Sequence, residues 1–172
     1  KLMDNLCDIV AEEQAKLGYM KEPIRLYYPL SSLNHFFGGD VSADEMQEKL
    51  SKFKSFAYDK FGEVEITHKG ERFCFFLSER ATEYVHQNGG QNQFIFDLVA
   101  LLAKHGTVME EVEALFAKQK DAYEIEKMNH GEFDYMIHFV NSKDKYLYCF
   151  KDEGCHIIYH RFLPEDYEDL GL

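Results

Sequence analysis

The sequence is poor in several residue types, and these deficits narrow the class of protein. Among its 172 residues it has no tryptophan and only 3 prolines. No stretch comes close to 18 uncharged apolar residues, so the sequence predicts no membrane-spanning helix and no membrane partner. The first 18 residues carry acidic side chains through their apolar part, which a secretory signal peptide does not do. We therefore expect a cytoplasmic protein.

Cysteine is also scarce, which argues against an extracellular domain held by disulfides. The four cysteines, Cys7, Cys74, Cys149 and Cys155, are spread along the chain and form no CxxC pair. A small secreted scaffold would carry more cysteines in fewer residues. The sequence therefore predicts four reduced, mostly buried thiols.

Basic residues are much fewer than acidic ones. The chain has 19 basic against 31 acidic side chains, a net charge of −12. Residues 89–172 hold 8 basic and 16 acidic side chains, whereas residues 20–88 hold 9 and 11. Nucleic acid and anionic membranes attract basic proteins, so this balance makes nucleic acid an unlikely main partner.

Motifs of common enzyme classes are missing as well. The sequence has no GxGxxG, no P-loop and no GxSxG nucleophile elbow, and its paired glycines, Gly38-Gly39 and Gly89-Gly90, are typical of turns. Carboxylate pairs are so common in an acidic chain that none indicates catalysis. We predict no catalytic residues, no cofactor and no metal.

Aromatic residues are abundant, with 15 Phe and 11 Tyr, and they indicate a globular chain. In the first half the hydrophobic periodicity predicts a helix at 2–17, a short edge strand at 24–29 and a short helix at 31–37 capped by Ser31 or Ser32. A long helix follows Ser42, which with Glu45 forms a capping box. Its apolar stripe is Met46, Leu50, Phe53, Ala57 and Phe61.

Apolar and polar residues then alternate on both sides of a turn at Lys69-Gly70, in residues 61–81, FGEVEITHKGERFCFFLSERA. This pattern predicts a hairpin followed by a short helix. The glycine-rich segment Asn88-Gly89-Gly90 is the one plausible subdomain joint. We expect a subdomain at 1–88 and a second at 89–172, packed together as one unit.

The second half changes from helical to strand periodicity near Asp121. Residues 92–106 are apolar nearly all round and predict a helix buried on most sides. The next helix is expected to begin with a Thr107 and Glu110 capping box and to turn inward the side chains of Val108, Val112, Leu115 and Phe116. Four alternating segments after Asp121 predict an antiparallel meander, and the acidic tail predicts a short helix.

In order, residues 2–77 read helix, short strand, short helix, turn, long helix, strand, turn, strand. This order resembles the winged helix-turn-helix family, in which the hairpin is the wing. The resemblance implies that the helix before the wing would enter the DNA major groove and that the wing tip would reach a phosphate or the minor groove. The fold class is thus α+β, with a winged-helix-like first half, a helical pair and a four-stranded antiparallel meander.

Candidate nucleic-acid-binding residues in that half are Lys49, Lys52, Lys69 and Arg72. The N-terminal turns of the long helix instead carry acids, which would oppose phosphates: Asp40, Asp44, Glu45 and Glu48. The lysines are also explained by a solvated helix face with i, i+4 ion pairs. We therefore favour a protein-binding version of this fold over a DNA reader.

The last two strands offer a different candidate surface. A three-residue Asp152-Glu153-Gly154 turn would pair Phe150 with His156 and Tyr146 with His160. The candidate ligand-binding or partner-binding residues on the resulting face are Tyr146, Tyr148, His156 and His160. The same pairing makes Cys149 and Cys155 diagonal neighbours on the opposite face. The alternative is that helices of residues 92–120 pack on this face and bury it.

A metal shared by His156 and His160 is not expected, because at ~3.3 Å per residue they lie about 13 Å apart on a strand. Asp134 shares a strand face with His138 and could orient it, although an exposed face explains that aspartate more simply.

Three functions follow in order of preference. The first is a non-enzymatic protein-interaction or regulatory module with an unknown protein partner or with itself. The second is a DNA-binding transcription regulator, whose dimer would gather the four cations into a stripe. The third is a small-ligand sensor or enzyme that uses His138, His156 and His160 among the tyrosines.

Overall fold

The computed structural model describes residues 1–88 and 92–169. The chain divides into two compact units, residues 1–91 (unit 1) and 92–172 (unit 2). Each unit contains helices and one antiparallel sheet, so the predicted α+β class is confirmed. The predicted joint at Asn88-Gly89-Gly90 extends outside the described residues.

Unit 1 contains four helices and three strands within residues 1–88. They are α1 (Leu2–Leu17), β1 (Ile24–Pro29), α2 (Leu30–Phe37), α3 (Ala43–Phe61), β2 (Val64–Lys69), β3 (Arg72–Leu77) and α4 (Glu79–Asn88). The sheet has the order β1-β3-β2, and both neighbouring pairs are antiparallel. The prediction that 24–29 is an edge strand is confirmed.

The long helix α3 forms as its sequence predicts. The Ser42 hydroxyl accepts a hydrogen bond from the Glu45 backbone N–H (3.3 Å), and the Glu45 carboxylate accepts one from the Ser42 backbone N–H (2.9 Å). This capping box satisfies two N–H groups that would otherwise lack partners. All five residues of the predicted apolar stripe are buried in the unit 1 core, and the helix ends at Gly62, whose φ is +70°.

Two details of unit 1 correct the sequence prediction. The hairpin turn is Gly70-Glu71, because Lys69 pairs with Arg72. Helix α2 begins at Leu30, directly after Pro29, so Ser31 and Ser32 lie inside the helix and do not cap it. The early start has a physical reason. It buries Leu30 in the core, and that burial outweighs the small gain from a side-chain cap.

Unit 2 contains three helices and four strands within residues 92–169. They are α5 (Gln93–Leu102), α6 (Met109–Ala117), β4 (Tyr123–Lys127), β5 (Tyr135–Phe139), β6 (Leu147–Asp152), β7 (Ile157–Phe162) and α7 (Pro164–Asp169). Strand order follows chain order, β4-β5-β6-β7, and each pair is antiparallel. The predicted meander is confirmed.

The start of α6 differs from its prediction. The N-cap residue is Val108, whose backbone N–H donates to the Glu111 carboxylate (3.0 Å), and its side chain is 48% exposed rather than inward. Thr107 instead donates from its hydroxyl to the carbonyl oxygens of Leu101 (2.8 Å) and Lys104 (3.1 Å). The buried threonine thus closes the end of α5, and the helix starts one residue later so that Met109 is buried.

Helix α5 is also less enclosed than its composition predicts. Phe94, Ile95 and Leu98 are buried, whereas the side chain of Phe96 is 41% exposed. Only one side of the helix therefore packs into the core.

Two further sequence predictions can be compared with the structure. All four cysteines are free thiols, but Cys155 is exposed and Cys7 and Cys74 are half-buried, so the prediction of mostly buried thiols is wrong. Cys149 pairs with His160 across β6 and β7, far from Cys155 along the hairpin. Across residues 1–88 and 92–169, no helix combines the length and apolar character needed to cross a membrane.

Candidate functional site

The predicted His/Tyr face of the last hairpin does not form. In the structure Phe150 pairs with Tyr159 and Cys149 with His160, a register three residues away from the predicted one. Because an odd shift moves a side chain to the other face of a sheet, His160 lies on the face opposite Tyr148. The cause is the turn. Asp152 pairs with Ile157, so four residues rather than three connect the strands.

Tyr148 belongs to the core of unit 2. It is fully buried, and its ring packs edge-on against Phe94 (5.7 Å between centroids) and Phe116 (5.3 Å). Its hydroxyl donates to the Asp144 carboxylate. Burial, and then the nearby Asp144 charge, raise the pKa of Tyr148 far above its ordinary range. The packing alternative is therefore correct for this tyrosine, which is inaccessible to a ligand.

Two of the other candidates in this group occupy separate places. The Arg161 guanidinium lies over the ring of Tyr146, with 4.3 Å between its carbon and the ring centroid. His160 is exposed and contacts the rings of Phe133 (5.9 Å) and Phe162 (6.1 Å). These side chains do not converge on a common site.

Two other histidines of the meander, His138 and His156, lie beside carboxylates. His138 lies across from Glu124 on β4, with 3.3 Å between Nε2 and Oε2. His156 lies in the β6–β7 turn, where its Nε2 is 2.9 Å from the Glu153 Oε2. In the part of the chain that the structure describes, no group of three or more His, Cys, Asp or Glu side chains could hold a metal ion.

The four candidate nucleic-acid-binding cations separate into two pairs. Lys69 and Arg72 face each other where the hairpin turns. Lys49 and Lys52 lie exposed on α3, whose Gln47 side chain donates to the Ile66 carbonyl of β2 (3.0 Å). At 100° per residue both lysines lie more than about 130° around the helix from Gln47. They therefore point away from the hairpin.

The end of α3 that lies beside the hairpin is acidic, as the sequence indicates. The Asp44 carboxylate is 3.9 Å from His68 Nε2 on β2. Hydrogen bonds from the Ser42 backbone and side chain lower the pKa of Glu45, which keeps its negative charge in the first turn. The tip of the β2–β3 hairpin thus carries cations on the sheet and has carboxylates on the neighbouring helix end.

The outward side of the β1-β3-β2 sheet forms a surface that the sequence did not single out. We call it the outer sheet face, and its side chains are those that alternate with the buried ones: Arg25, Tyr27, Pro29, Glu65, Thr67, Lys69, Arg72, Cys74 and Phe76. It carries three cations and one carboxylate, although the chain as a whole is acidic.

Two cation–π contacts organise this face. The Arg25 guanidinium carbon lies 5.0 Å from the centroid of the Phe76 ring. The Arg72 guanidinium carbon lies 4.6 Å from that of Tyr27, which remains 55% exposed. An open cleft of about 540 Å³ begins at this second contact and is also lined by Lys69 and Glu71. The site therefore combines an exposed aromatic ring with two cations and one carboxylate.

Sequence reasoning missed Tyr27 and Arg25 for a definite reason. The alternation that exposes them is visible in IRLYYP, but the neighbour of β1 in the sheet is β3, and this pairing joins distant segments. A search for aromatic and arginine residues on the outward positions of both strands would have identified them.

Comparison with known proteins locates the chain in one family. No curated protein and no solved structure matches it. A family model described as "Domain of unknown function, E. rectale Gene description (DUF3877)" matches residues 1–171. With nearly its whole length covered, the chain belongs to the DUF3877 family.

Proposed function

We propose that the chain is a non-enzymatic protein-interaction module and that a protein partner docks on the outer sheet face. The observation that carries this proposal is the exposed Tyr27 ring stacked under Arg72 beside an open cleft. Tyrosine and arginine are enriched among the residues that dominate binding energy at protein interfaces. A ring already held by a guanidinium also loses little rotamer freedom when a partner binds.

The scaffold of this module is a winged-helix-like unit 1. The element order α1, β1, α2, α3, β2, β3 and the sheet order β1-β3-β2 support this assignment. The helix that would read DNA in such a scaffold begins with carboxylates, one of which lies beside His68 on the wing. An acidic helix end repels phosphates, so this version of the scaffold favours protein over nucleic acid.

The charge of the outer sheet face specifies the partner further. Arg25, Lys69 and Arg72 outnumber Glu65 on this surface. Such a surface fits a partner segment that presents carboxylates around an apolar or aromatic centre. The partner is therefore an acidic protein surface or peptide, and a second copy of this acidic chain is one such surface.

Charge and ring substitutions on the full chain test the proposal. The wild-type chain serves as bait in lysate, and captured proteins are compared with those captured by Y27A and R72E. We expect both variants to lose the same partner, because they remove the exposed ring and reverse the charge above it. The matched controls are Y58A and K52E, which change an exposed tyrosine and an exposed cation on α3.

The outcomes are distinguishable. Loss of the partner in Y27A and R72E but not in the two controls supports the outer sheet face. The proposal is contradicted if all four variants still capture the partner. It is also contradicted if K52E weakens the capture as much as R72E does. Sedimentation of the same variants reports whether the partner is a second copy.

The second candidate function is the DNA-binding regulator, for which Lys69 and Arg72 at the wing tip are the favourable observation. Fluorescently labelled duplex DNA at low salt is the probe, because electrostatic binding is strongest there. We expect no saturable binding. Saturable binding that K49E, K52E and R72E each weaken would replace the protein-interaction proposal.

A further inference from the structure

The turn between β6 and β7 brings a thiol, an imidazole and a carboxylate into one chain of contacts. The Cys155 Sγ lies 3.2 Å from Nδ1 of His156. On the other side of the same ring, Nε2 of His156 lies 2.9 Å from Oε2 of Glu153. The outer sheet face of unit 1 plays no part in this cluster, which belongs to unit 2.

The carboxylate determines which ring nitrogen carries the proton. An ionised carboxylate only accepts hydrogen bonds, so Nε2 of His156 carries hydrogen and donates it to Glu153. In the neutral ring Nδ1 then has a lone pair, which can accept the S–H of Cys155. The order thiol, base and orienting carboxylate is the arrangement that activates nucleophiles.

The turn that carries these groups is fixed by backbone hydrogen bonds. The Glu153 N–H donates to the His156 carbonyl (3.0 Å), and the Gly106 N–H donates to the Cys155 carbonyl (3.0 Å). Gly154 adopts φ +86°, and its N–H donates to the Asp152 carboxylate (2.8 Å). The backbone that carries the thiol and its base is therefore ordered before any reagent arrives.

The thiol is also the accessible one. Cys155 is exposed, whereas Cys149 is fully buried and Cys7 and Cys74 are half-buried. Burial raises the pKa of Cys149 to about 11 and also raises the pKa of Cys7. Cys155 is therefore the cysteine that a reagent in solution can reach most easily.

We propose that Cys155 is a nucleophilic thiol activated by His156 as a general base, and that it reacts with small disulfides to form mixed disulfides. The thiol proton moves to Nδ1 of His156 as the Cys155 sulfur attacks one sulfur of the disulfide. A new S–S bond forms, the old one breaks, and the departing thiolate takes the proton from the imidazolium. Glu153 holds the ring in the productive tautomer and stabilises its transient positive charge.

A metal site does not fit the same residues. The thiol and the carboxylate contact opposite nitrogens of one imidazole, so the three groups do not surround a common point. This agrees with the absence of a metal-holding group among the described residues.

The experiment uses the reduced full chain and excess oxidised glutathione at pH 7, with the modified cysteine identified by mass spectrometry. We expect one fast site, which C155S removes. H156Q should slow that site roughly tenfold, because a thiol is already ionised to a few per cent at this pH and a base can add little more. E153Q should slow it less, since the ring remains in place. H160Q is the matched control, and we expect the wild-type rate.

Two results overturn the proposal. If the fast site persists in C155S, a different cysteine is the nucleophile. If C155S removes it but H156Q reacts at the wild-type rate, exposure alone explains the reactivity and His156 is not a base. Far-ultraviolet circular dichroism of each variant reports whether the turn substitutions leave the fold unchanged.

Discussion

Arg72 lies diagonally across the β1–β3 pair from Tyr27, with its guanidinium carbon 4.6 Å from the centre of the tyrosine ring. Tyr27 pairs with Cys74, and Arg72 pairs with Pro29 at the end of β1. The contact thus joins an edge strand to the central strand on the outward side of the sheet. It orders two long side chains on a surface that water reaches.

We expect the contact between Arg72 and Tyr27 to make a measurable contribution to stability. An exposed cation–π pair contributes about 0.5–1 kcal/mol. We expect the double variant Y27A/R72A to be less destabilised than the sum of its single variants by about that amount. Urea unfolding of the four proteins measures the coupling, and a value near zero would show that the ring and the guanidinium do not interact in solution.

The Tyr148 hydroxyl links stability to alkaline pH. Its pKa is raised in the folded chain by burial, whereas an unfolded tyrosine ionises near pH 10. The stabilising contribution is therefore complete below about pH 10 and is lost as the pH rises above that value. We expect the urea midpoint of the wild type to fall more steeply above pH 10 than that of Y148F.

At neutral pH the same Y148F substitution should lower the free energy of unfolding by about 2 kcal/mol, because it removes a hydrogen bond to the Asp144 carboxylate. Y58F changes an exposed tyrosine and is the control. Equal alkaline slopes for Y148F and the wild type would contradict the assignment of Tyr148 as a buried neutral phenol.

Helix α6 can be stabilised at its N-cap residue. Val108 occupies the N-cap but has no side-chain oxygen that could accept a hydrogen bond from the first turn. Because the valine is exposed, V108S adds such an oxygen without opening a cavity, and we expect a gain of about 1 kcal/mol. Thermal unfolding measures it. V108A is the control and should give no gain, since alanine is a poor N-cap.

The buried thiol of Cys149 should resist alkylation until the fold opens. A pKa of about 11, against an ordinary 9.0, leaves roughly a hundredth of the usual thiolate. We expect iodoacetamide to label Cys149 at least about 100-fold more slowly in buffer than in urea. Peptide mapping after timed labelling gives the two rates. Rapid labelling in buffer would mean that β6 opens frequently.

Two correct predictions rest on patterns between neighbours along the chain. Helix α3 follows from the Ser42 and Glu45 capping box and from a stripe that repeats every three or four residues. The meander follows from a period of two and from turn residues at its corners.

The predictions that were wrong concern geometry that local sequence patterns do not determine. A three-residue and a four-residue turn are both compatible with the residues around Gly154, yet they place His160 on opposite faces of the sheet. The outer sheet face depends on which strand neighbours β1, and no local periodicity contains that information. The start of α6 depends on competition between burial of Met109 and a side-chain cap.

The hydrogen bond from the Leu30 N–H to the Glu71 carbonyl (2.8 Å) limits the motion of the β2–β3 hairpin, and therefore how a protein partner would bind there. It ties the turn of the hairpin to the first residue of α2, and α2 follows β1 with no intervening loop. The β2–β3 hairpin therefore cannot swing as a separate flap. A partner that docked on it would meet a preformed surface, with little ordering entropy lost at the hairpin itself. Slow hydrogen exchange of the Leu30 amide is the corresponding signal in the unbound chain.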